Sequence, residues 1–313
     1  MSDAEDSAAR RIADCFASLW HLVRPIDGSG TDEFRRMARI QIINALERGG
    51  EFVGSQTGVQ LFAGTFYSEA VIWSGQMSEV HLVRHRDLGN LQVLKTVPKA
   101  RARDQMIVER LIVEAKIGVA LRHAHLVETT MLLRLEDGRP ALILESCGKS
   151  LADQLAHGVV ESGEIVTALM HLLEGLSALH RAGYVHGDVA AENLLSALDL
   201  AEQWKLGDFG LTLPVGGSCA VKDVAYQGRP HYASPEQKAG LQLTPLSDLY
   251  SVGMLAGHIA RSCVPACTRD QLIASRALQA FEAILVQEDQ GKRPADAHTC
   301  LAILKDCFRS CAN

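Results

Sequence analysis

The stretch GYVHGDVAAENLL (residues 183–195) decides how the rest of the chain is read. His186 and Asp188 sit in a loop, Asn193 follows, and a run of leucines begins directly after it. An Asp can position a hydroxyl nucleophile, and an Asn oxygen is a hard ligand for a cation, so the stretch has the makings of a base-and-metal loop. Phosphoryl transfer asks for more than this. The triphosphate needs a backbone cradle and a cation, the metal needs a second oxygen ligand, and all the parts must converge.

Two further residues answer to that description. Asp208 stands in KLGDFGLTL (205–213), a carboxylate between two glycines just after an apolar stretch. The glycines allow the backbone to turn closely round a ligand, and the carboxylate can hold Mg²⁺. The same triplet also occurs as an ordinary turn. Lys95 lies inside the apolar run LQVLKTV (91–97). Burying an ammonium is costly unless it is paired, so a partner carboxylate is expected, and Glu114 on the next helical segment is the natural one. A lysine that snorkels to solvent would need no such partner.

Taken in order, His186-Gly187-Asp188, Asn193 and Asp208-Phe209-Gly210 resemble the catalytic core of the eukaryotic-type (Hanks-type) protein kinases. Other landmarks of that family follow in sequence over roughly residues 68–308. WSGQMSEVHLV (73–83) is similar to a Gly-rich loop with Val80 placed to pack on adenine, and EAKIGVALRHAHLV (114–127) resembles the helix that carries the paired Glu. The run around Glu145 and Cys147 resembles the hinge that offers backbone groups to the base. GRPHYASPEQ (228–237) looks like the end of an activation segment, with Glu236 matched to Arg293 of GKRPADA (291–297), and Asp248 of SDLYSVG (247–253) looks like the support of the catalytic loop.

The resemblance implies an α+β, bilobal kinase-like fold. A β-rich N-lobe covers 68–147, a helical C-lobe covers 148–313, and a helical extension over 1–67 packs on the N-lobe. It implies ATP with Mg²⁺ or Mn²⁺ as cofactors and transfer of the γ-phosphate to Ser/Thr hydroxyls of a protein substrate. Asp188, Lys95 and Glu114 would be catalytic. Nucleotide would meet Gly75, Ser78, Val80, Lys95, Glu145, Cys147, Asn193 and Asp208, with Asn193 and Asp208 as the metal ligands. Two alternatives stay open: a pseudokinase scaffold that binds nucleotide or partners without turnover, and a small-molecule phosphotransferase of the aminoglycoside or choline type, which shares the HGDxxxxN pattern. ASPE, Asp248 and Arg293 speak against the latter.

Several positions depart from the family pattern. The three glycine positions of the loop read Trp73, Gly75 and Ser78. Gly187 replaces the arginine that meets a phosphorylated activation segment, as in non-RD kinases. On that reading, alanine at Thr212, Ser218 or Tyr226 leaves activity largely intact. Ala190 replaces the usual phosphate-binding lysine, and Glu192 stands where tyrosine kinases place an arginine. Arg229 occupies the place of a threonine, and either substitutes for the missing lysine or only pairs with Asp188. RSCVPACTRDQL (261–272) is the short connection between the supporting helix and ALQAFEAILVQ (277–287), so the family's substrate-facing helical insert is expected to be reduced or missing.

The bulk composition fits this picture. At 47% hydrophobic and 22% charged, the 313 residues are expected to fold round a packed core. A formal charge of −6, with both signs mixed along the chain, provides no argument for nucleic acid or an anionic membrane as partner. The acidic opening MSDAED is unlike a secretory leader and no apolar run has the length of a span, so a cytoplasmic protein with reduced thiols is expected. Whether it is exported into another cell stays open. Among the eight cysteines, Cys263 and Cys267 with His258 make only a thin metal motif, and loop or buried thiols are the better reading. Apolar residues Ile12, Phe16, Leu19, Trp20 and Val23 recur at helical spacing before Pro25, and Thr31 is placed to cap a second helix ending at Gly49-Gly50. These helices would serve as extra core, as a brake on the Glu114 helix, or as the seat of a regulatory partner.

Overall fold

The computed structural model of the protein describes residues 61–158, 160–198, 202–218, 229–262 and 268–312. The expected front helices, Tyr226 and the Cys263–Cys267 pair lie outside the described residues. The chain divides into two units, one formed by Met1–Ser68 with His85–Leu88 and the other by Glu69–Arg84 with Gly89–Asn313. In the first, strand β1 (Leu61–Phe62) pairs antiparallel with the start of β2 (Phe66–Ser74), and the Phe66 ring meets the His85 ring edge-on at 5.3 Å.

The second unit opens with a sheet. Strands β2, β3 (Glu79–His85), β4 (Leu91–Thr96), β5 (Thr129–Arg134) and β6 (Pro140–Glu145) lie in the order β2-β3-β4-β6-β5. The register sets Lys95 of β4 opposite Val80 on one side and Leu142 on the other. Helix α1 (Gln105–Ala120) starts where the Asp104 side chain accepts from the Ile107 amide. Its buried stripe of Ile107, Leu111 and Ala115 packs with Val97 and Leu142 of the sheet, and Glu114 is buried on the same helix.

The remaining elements are mostly helical. Helix α2 (Leu151–Ala156) begins with a capping box between Ser150 and Asp153, and α3 (Ser162–Arg181) buries Ile165, Leu169, Leu172, Leu176 and Leu179 along one face. Two small ladders then bracket the loop of interest. Strand β7 (Tyr184–Val185) pairs with β10 (Leu213–Pro214), and β8 (Leu194–Ser196) pairs with β9 (Trp204–Leu206). After the short α4 (Pro235–Lys238) comes α5 (Pro245–Ser262), which is buried on nearly every side and forms the centre of this core. Helices α6 (Arg269–Leu285) and α7 (Ala297–Ala312) pack round it.

The connection expected across 261–272 is thus partly helical. Thr268 and Gln271 form a capping box that starts α6 well ahead of residue 277. Helix α5 ends at Ser262 and α6 begins at Arg269, with residues 263–268 between them.

An internal ion pair ties α4 to the C-terminal part of the chain. Arg293 donates from Nη1 and Nη2 to the two oxygens of Glu236, at 2.7 and 3.0 Å, and Ser247 donates to the same carboxylate at 2.7 Å. Both partners are buried, and the guanidinium also lies 4.9 Å from the centroid of the Tyr250 ring. Burial alone would raise the Glu236 carboxyl, but its bonds to Arg293 and Ser247 outweigh that and hold it below the ordinary glutamate range. A depressed acid stabilises the fold above its unfolded value and loses that contribution as pH falls through its folded value. Arg293→Met is expected to cost about 3–5 kcal/mol in urea unfolding at neutral pH, by stranding a buried carboxylate. The deficit should shrink towards pH 4; an equal deficit at both pH values would show that lost packing, and not the stranded charge, sets it.

Candidate active site

Lys95, Glu114 and Asp208 arrive from a strand, a helix and a loop and meet at one point. The Lys95 ammonium donates to Glu114 Oε1 and to Asp208 Oδ1, at 2.7 Å in each case. Burial works against the charged ammonium, but Asp208 and Glu114 beside it prevail and hold it above the ordinary lysine value. The Lys95 charge likewise holds Asp208 well below the usual carboxylate range. Glu114 is shifted the other way, because burial and the nearby Asp208 charge outweigh its attraction to Lys95. The two acids are therefore unlike: Glu114 is sealed at 5% side-chain exposure, whereas Asp208, at 47%, opens onto the cleft.

Asp208 reaches that position through strain. Its backbone is left-handed, with φ 62° and ψ 78°, a conformation unusual for a residue with a side chain, and its Oδ1 accepts from the Gly210 amide at 3.2 Å. Gly207 N donates to the Asn193 carbonyl at 2.8 Å, which sets this turn directly against the catalytic loop.

That loop is itself held from below. The buried Asp248 carboxylate accepts from the His186 amide (2.8 Å), the Gly187 amide (2.9 Å) and His180 Nε2 (2.8 Å). Gly187 adopts φ +76°, and a Cβ there would stand 2.9 Å from the Leu211 carbonyl oxygen, so the tight approach of the two loops requires glycine. Asn193 Nδ2 donates to both the carbonyl (2.8 Å) and Oδ2 (2.9 Å) of Asp188. Two acceptors on that nitrogen fix the amide's orientation, and its oxygen faces Arg229 Nη2 at 3.5 Å. Arg229 Nη1 donates to the same Asp188 Oδ2 at 2.5 Å. Both side-chain bonds fall on Oδ2, which leaves Oδ1 for an incoming hydroxyl.

A cleft of about 470 Å³ joins these groups. Lys95, Glu114, Asp188 and Asp208 line it together with Ser78, Met77 and Trp73 of the turn between β2 and β3. Gly75 also belongs to this turn. Its amide donates to the Ser78 carbonyl at 3.0 Å, and a Cβ on it would lie 2.7 Å from Trp73 Nε1, so glycine here makes room for the indole. The Glu145 carboxylate is engaged elsewhere, accepting from Lys205 Nζ at 2.8 Å and from the Glu128 amide at 2.6 Å. Burial pushes the Cys147 thiol up to about 12, so it stays neutral.

Four contributors escaped the reading of the sequence. Arg110 donates from Nε to the Gly210 carbonyl at 2.5 Å; its place one turn before Glu114 on the same helix face was the available signal. Lys205, His180 and Gln237, whose Nε2 donates to the Gly187 carbonyl at 2.9 Å, come from distant segments, and nothing in the local sequence marks them. Thr212, which was read only as a hydroxyl of the activation segment, is buried and donates to the His186 carbonyl at 3.3 Å.

With the fold and the site's geometry described, comparison with known proteins places the chain. It belongs to the protein kinase domain family, whose model matches residues 66–313. It is similar to the serine/threonine-protein kinase PknL of Mycobacterium tuberculosis, 33% identical over 208 residues, which is 66% of this chain and 51% of that protein. It also resembles the serine/threonine-protein kinase pkn2 of Myxococcus xanthus, 32% identical over 207 residues, 64% of this chain and 25% of the other. The match thus spans a quarter to a half of these relatives' length. The crystal structure of the M. tuberculosis PknI kinase domain superposes with a TM-score of 0.59 at 21% identity, over 79% of this chain and 97% of that one, and so has the same fold.

The buried pair generates its own test. Lys95→Met removes the ammonium that opposes desolvation of Glu114, so the carboxyl moves further up and its charged form is costly at neutral pH. The loss is expected at about 3–5 kcal/mol at pH 7.5 and distinctly less at pH 5, where Glu114 takes up a proton. Thermal melting at the two pH values reads this directly; a pH-independent loss would mean Glu114 is not the stranded group.

Proposed function

We propose that the chain is an ATP-dependent protein kinase that transfers the γ-phosphate to serine or threonine hydroxyls of a protein substrate. The observation that carries this reading is the convergence in one cleft of Lys95, paired to Glu114, with Asp208 and Asp188. Lys95 is placed to grip the α- and β-phosphates, and the backbone at Glu145 and Cys147 to receive the adenine, with Val80 packed against it. Asp188 Oδ1 orients the substrate hydroxyl and accepts its proton. The oxygen bonds to the γ-phosphorus as the bridge to the β-phosphate breaks, and ADP leaves.

Asn193 Oδ1 and the exposed Asp208 carboxylate are hard oxygen donors on facing loops and suit Mg²⁺, or Mn²⁺ in its place. When bound, such an ion supplies neutralisation of phosphate charge. The protein substrate is inferred from the Glu236–Arg293 anchor of the activation segment and from the named relatives. Because α5 and α6 are joined by a short connection, the surface offered to that substrate differs on this reading from the family's usual platform.

Two finer features belong to the same reading. Gly187 removes the cation through which a phosphorylated activation segment is usually read, which makes this a non-RD variant. The turn carrying Trp73, Gly75 and Ser78 is a divergent Gly-rich loop, in which the Gly75 amide is already engaged by Ser78. Residues 1–67 form an extension of the kinase lobes 68–147 and 148–313, with extra core, a brake or a regulatory partner's seat as its roles. No helix among the described residues is long and apolar enough to cross a membrane.

Incubation with labelled ATP, Mg²⁺ and a generic protein acceptor tests the proposal. Wild type is expected to label the acceptor, with Asp208→Ala and Asp188→Asn reduced by at least about 10²-fold. Nucleotide binding with no more turnover than Asp208→Ala would instead identify a pseudokinase.

A further inference from the structure

The charged groups between His186 and Leu195 are Asp188 and Glu192, both acidic, and Ala190 is buried and offers a phosphate nothing. Charge spread over a transferring phosphoryl group beside Asp188 therefore meets no cation from the loop itself. The cation that reaches this loop comes from the activation segment. Arg229 sets Nη1 2.5 Å from Asp188 Oδ2, Nη2 3.5 Å from Asn193 Oδ1 and Nε 3.5 Å from Glu192 Oε2. Its carbonyl accepts from the Tyr232 and Ala233 amides at 3.1 and 3.3 Å, so its backbone is fixed at the head of a turn.

This arrangement is more than a lock on the base. One guanidinium nitrogen makes a short bond, while the other two stand at 3.5 Å from their partners, so part of a five-donor fork is left weakly used. The side chain is a third exposed, held by the loop on one side and open on the other. A hydroxyl resting on Asp188 Oδ1 attacks a phosphorus about 3–3.5 Å away. The guanidinium bonded to the other oxygen of the same carboxylate stands beside that reacting centre, and its planar fork suits phosphoryl oxygens. Glu192 Oε2, 3.5 Å from Nε, adds negative charge that favours keeping the guanidinium over the loop.

Building on the kinase reading above, we infer that Arg229 is the phosphate-binding cation of the reaction, supplied by the activation segment and held over the catalytic loop by Glu192. The cation then arrives only when the segment is seated through Glu236 and Arg293, so packing of the segment, without a phosphate on it, completes the site.

The test compares wild type, Arg229→Ala, Arg229→Lys and the double variant Arg229→Ala/Ala190→Lys. Steady-state kinetics, melting temperature, and affinities for ADP and a non-hydrolysable ATP analogue with Mg²⁺ are measured for each. Arg229→Ala is expected to lower kcat by about 10–100-fold with the KM for ATP within about threefold, and Arg229→Lys to fall between it and wild type. Adding Ala190→Lys should recover roughly tenfold of the loss, because the cation is restored from the loop side. Wild type should favour the analogue over ADP by about 3–10-fold, and Arg229→Ala should lose that preference. An Arg229→Ala kcat at or above wild type would overturn the inference and make Arg229 a brake on Asp188. Should wild type turn over no faster than Asp208→Ala, the kinase reading falls, and the analogue-against-ADP comparison still decides whether Arg229 meets the γ-phosphate.

Discussion

The carboxylate of Asp248 carries the active-site architecture. It is 1% exposed, sits in the first turn of α5, and accepts hydrogen bonds from two successive backbone amides, His186 and Gly187, and from the His180 ring. Those amides belong to a loop that no helix or strand satisfies, and leaving them unpaired in the core would cost about 1–3 kcal/mol each. By meeting them with one acceptor on the most deeply buried helix, the fold fixes the path of the chain into Asp188. The rest of the loop then follows, with Asn193 bonded back to Asp188 twice and Gly207 bonded to Asn193.

On the other side of the cleft the organising element is the Lys95 ammonium. A strand position in the middle of a sheet is a poor place for a charge, and α1 makes it tenable by bringing Glu114 within 2.7 Å. Asp208 completes the cluster only in a left-handed backbone conformation. The cluster is therefore coupled to α1: displacing that helix leaves the Lys95 ammonium with Asp208 as its one remaining carboxylate of the pair and buries Glu114 without its cation, and Arg110 of the same helix holds the following turn through Gly210. Such an arrangement suits a site whose competence depends on the position of one helix.

Much of this was legible in the sequence because the residue types are individually expensive. A lysine in an apolar strand, a carboxylate between glycines and a glycine beside the catalytic Asp each imply a partner or a backbone constraint, and the partners lie in the order that the resemblance to protein kinases implies. The helical start at Thr268 was hidden, since its capping box lies in a segment with little apolar pattern. The burial of Thr212 was hidden as well, because it arises from the approach of the two loops at Gly187 and Leu211.

The sequence by itself determined the family and the fold class, because these are matters of chemical type and order. Only the tertiary structure decided where Arg229 goes. Its pairing with Asp188, Asn193 and Glu192 spans loops distant along the chain, and a guanidinium's long stem can reach many partners until packing selects among them. The stretch 183–195 carries Asp188, Glu192 and Asn193 but no lysine or arginine of its own, and the guanidinium that meets these three is brought to them by packing.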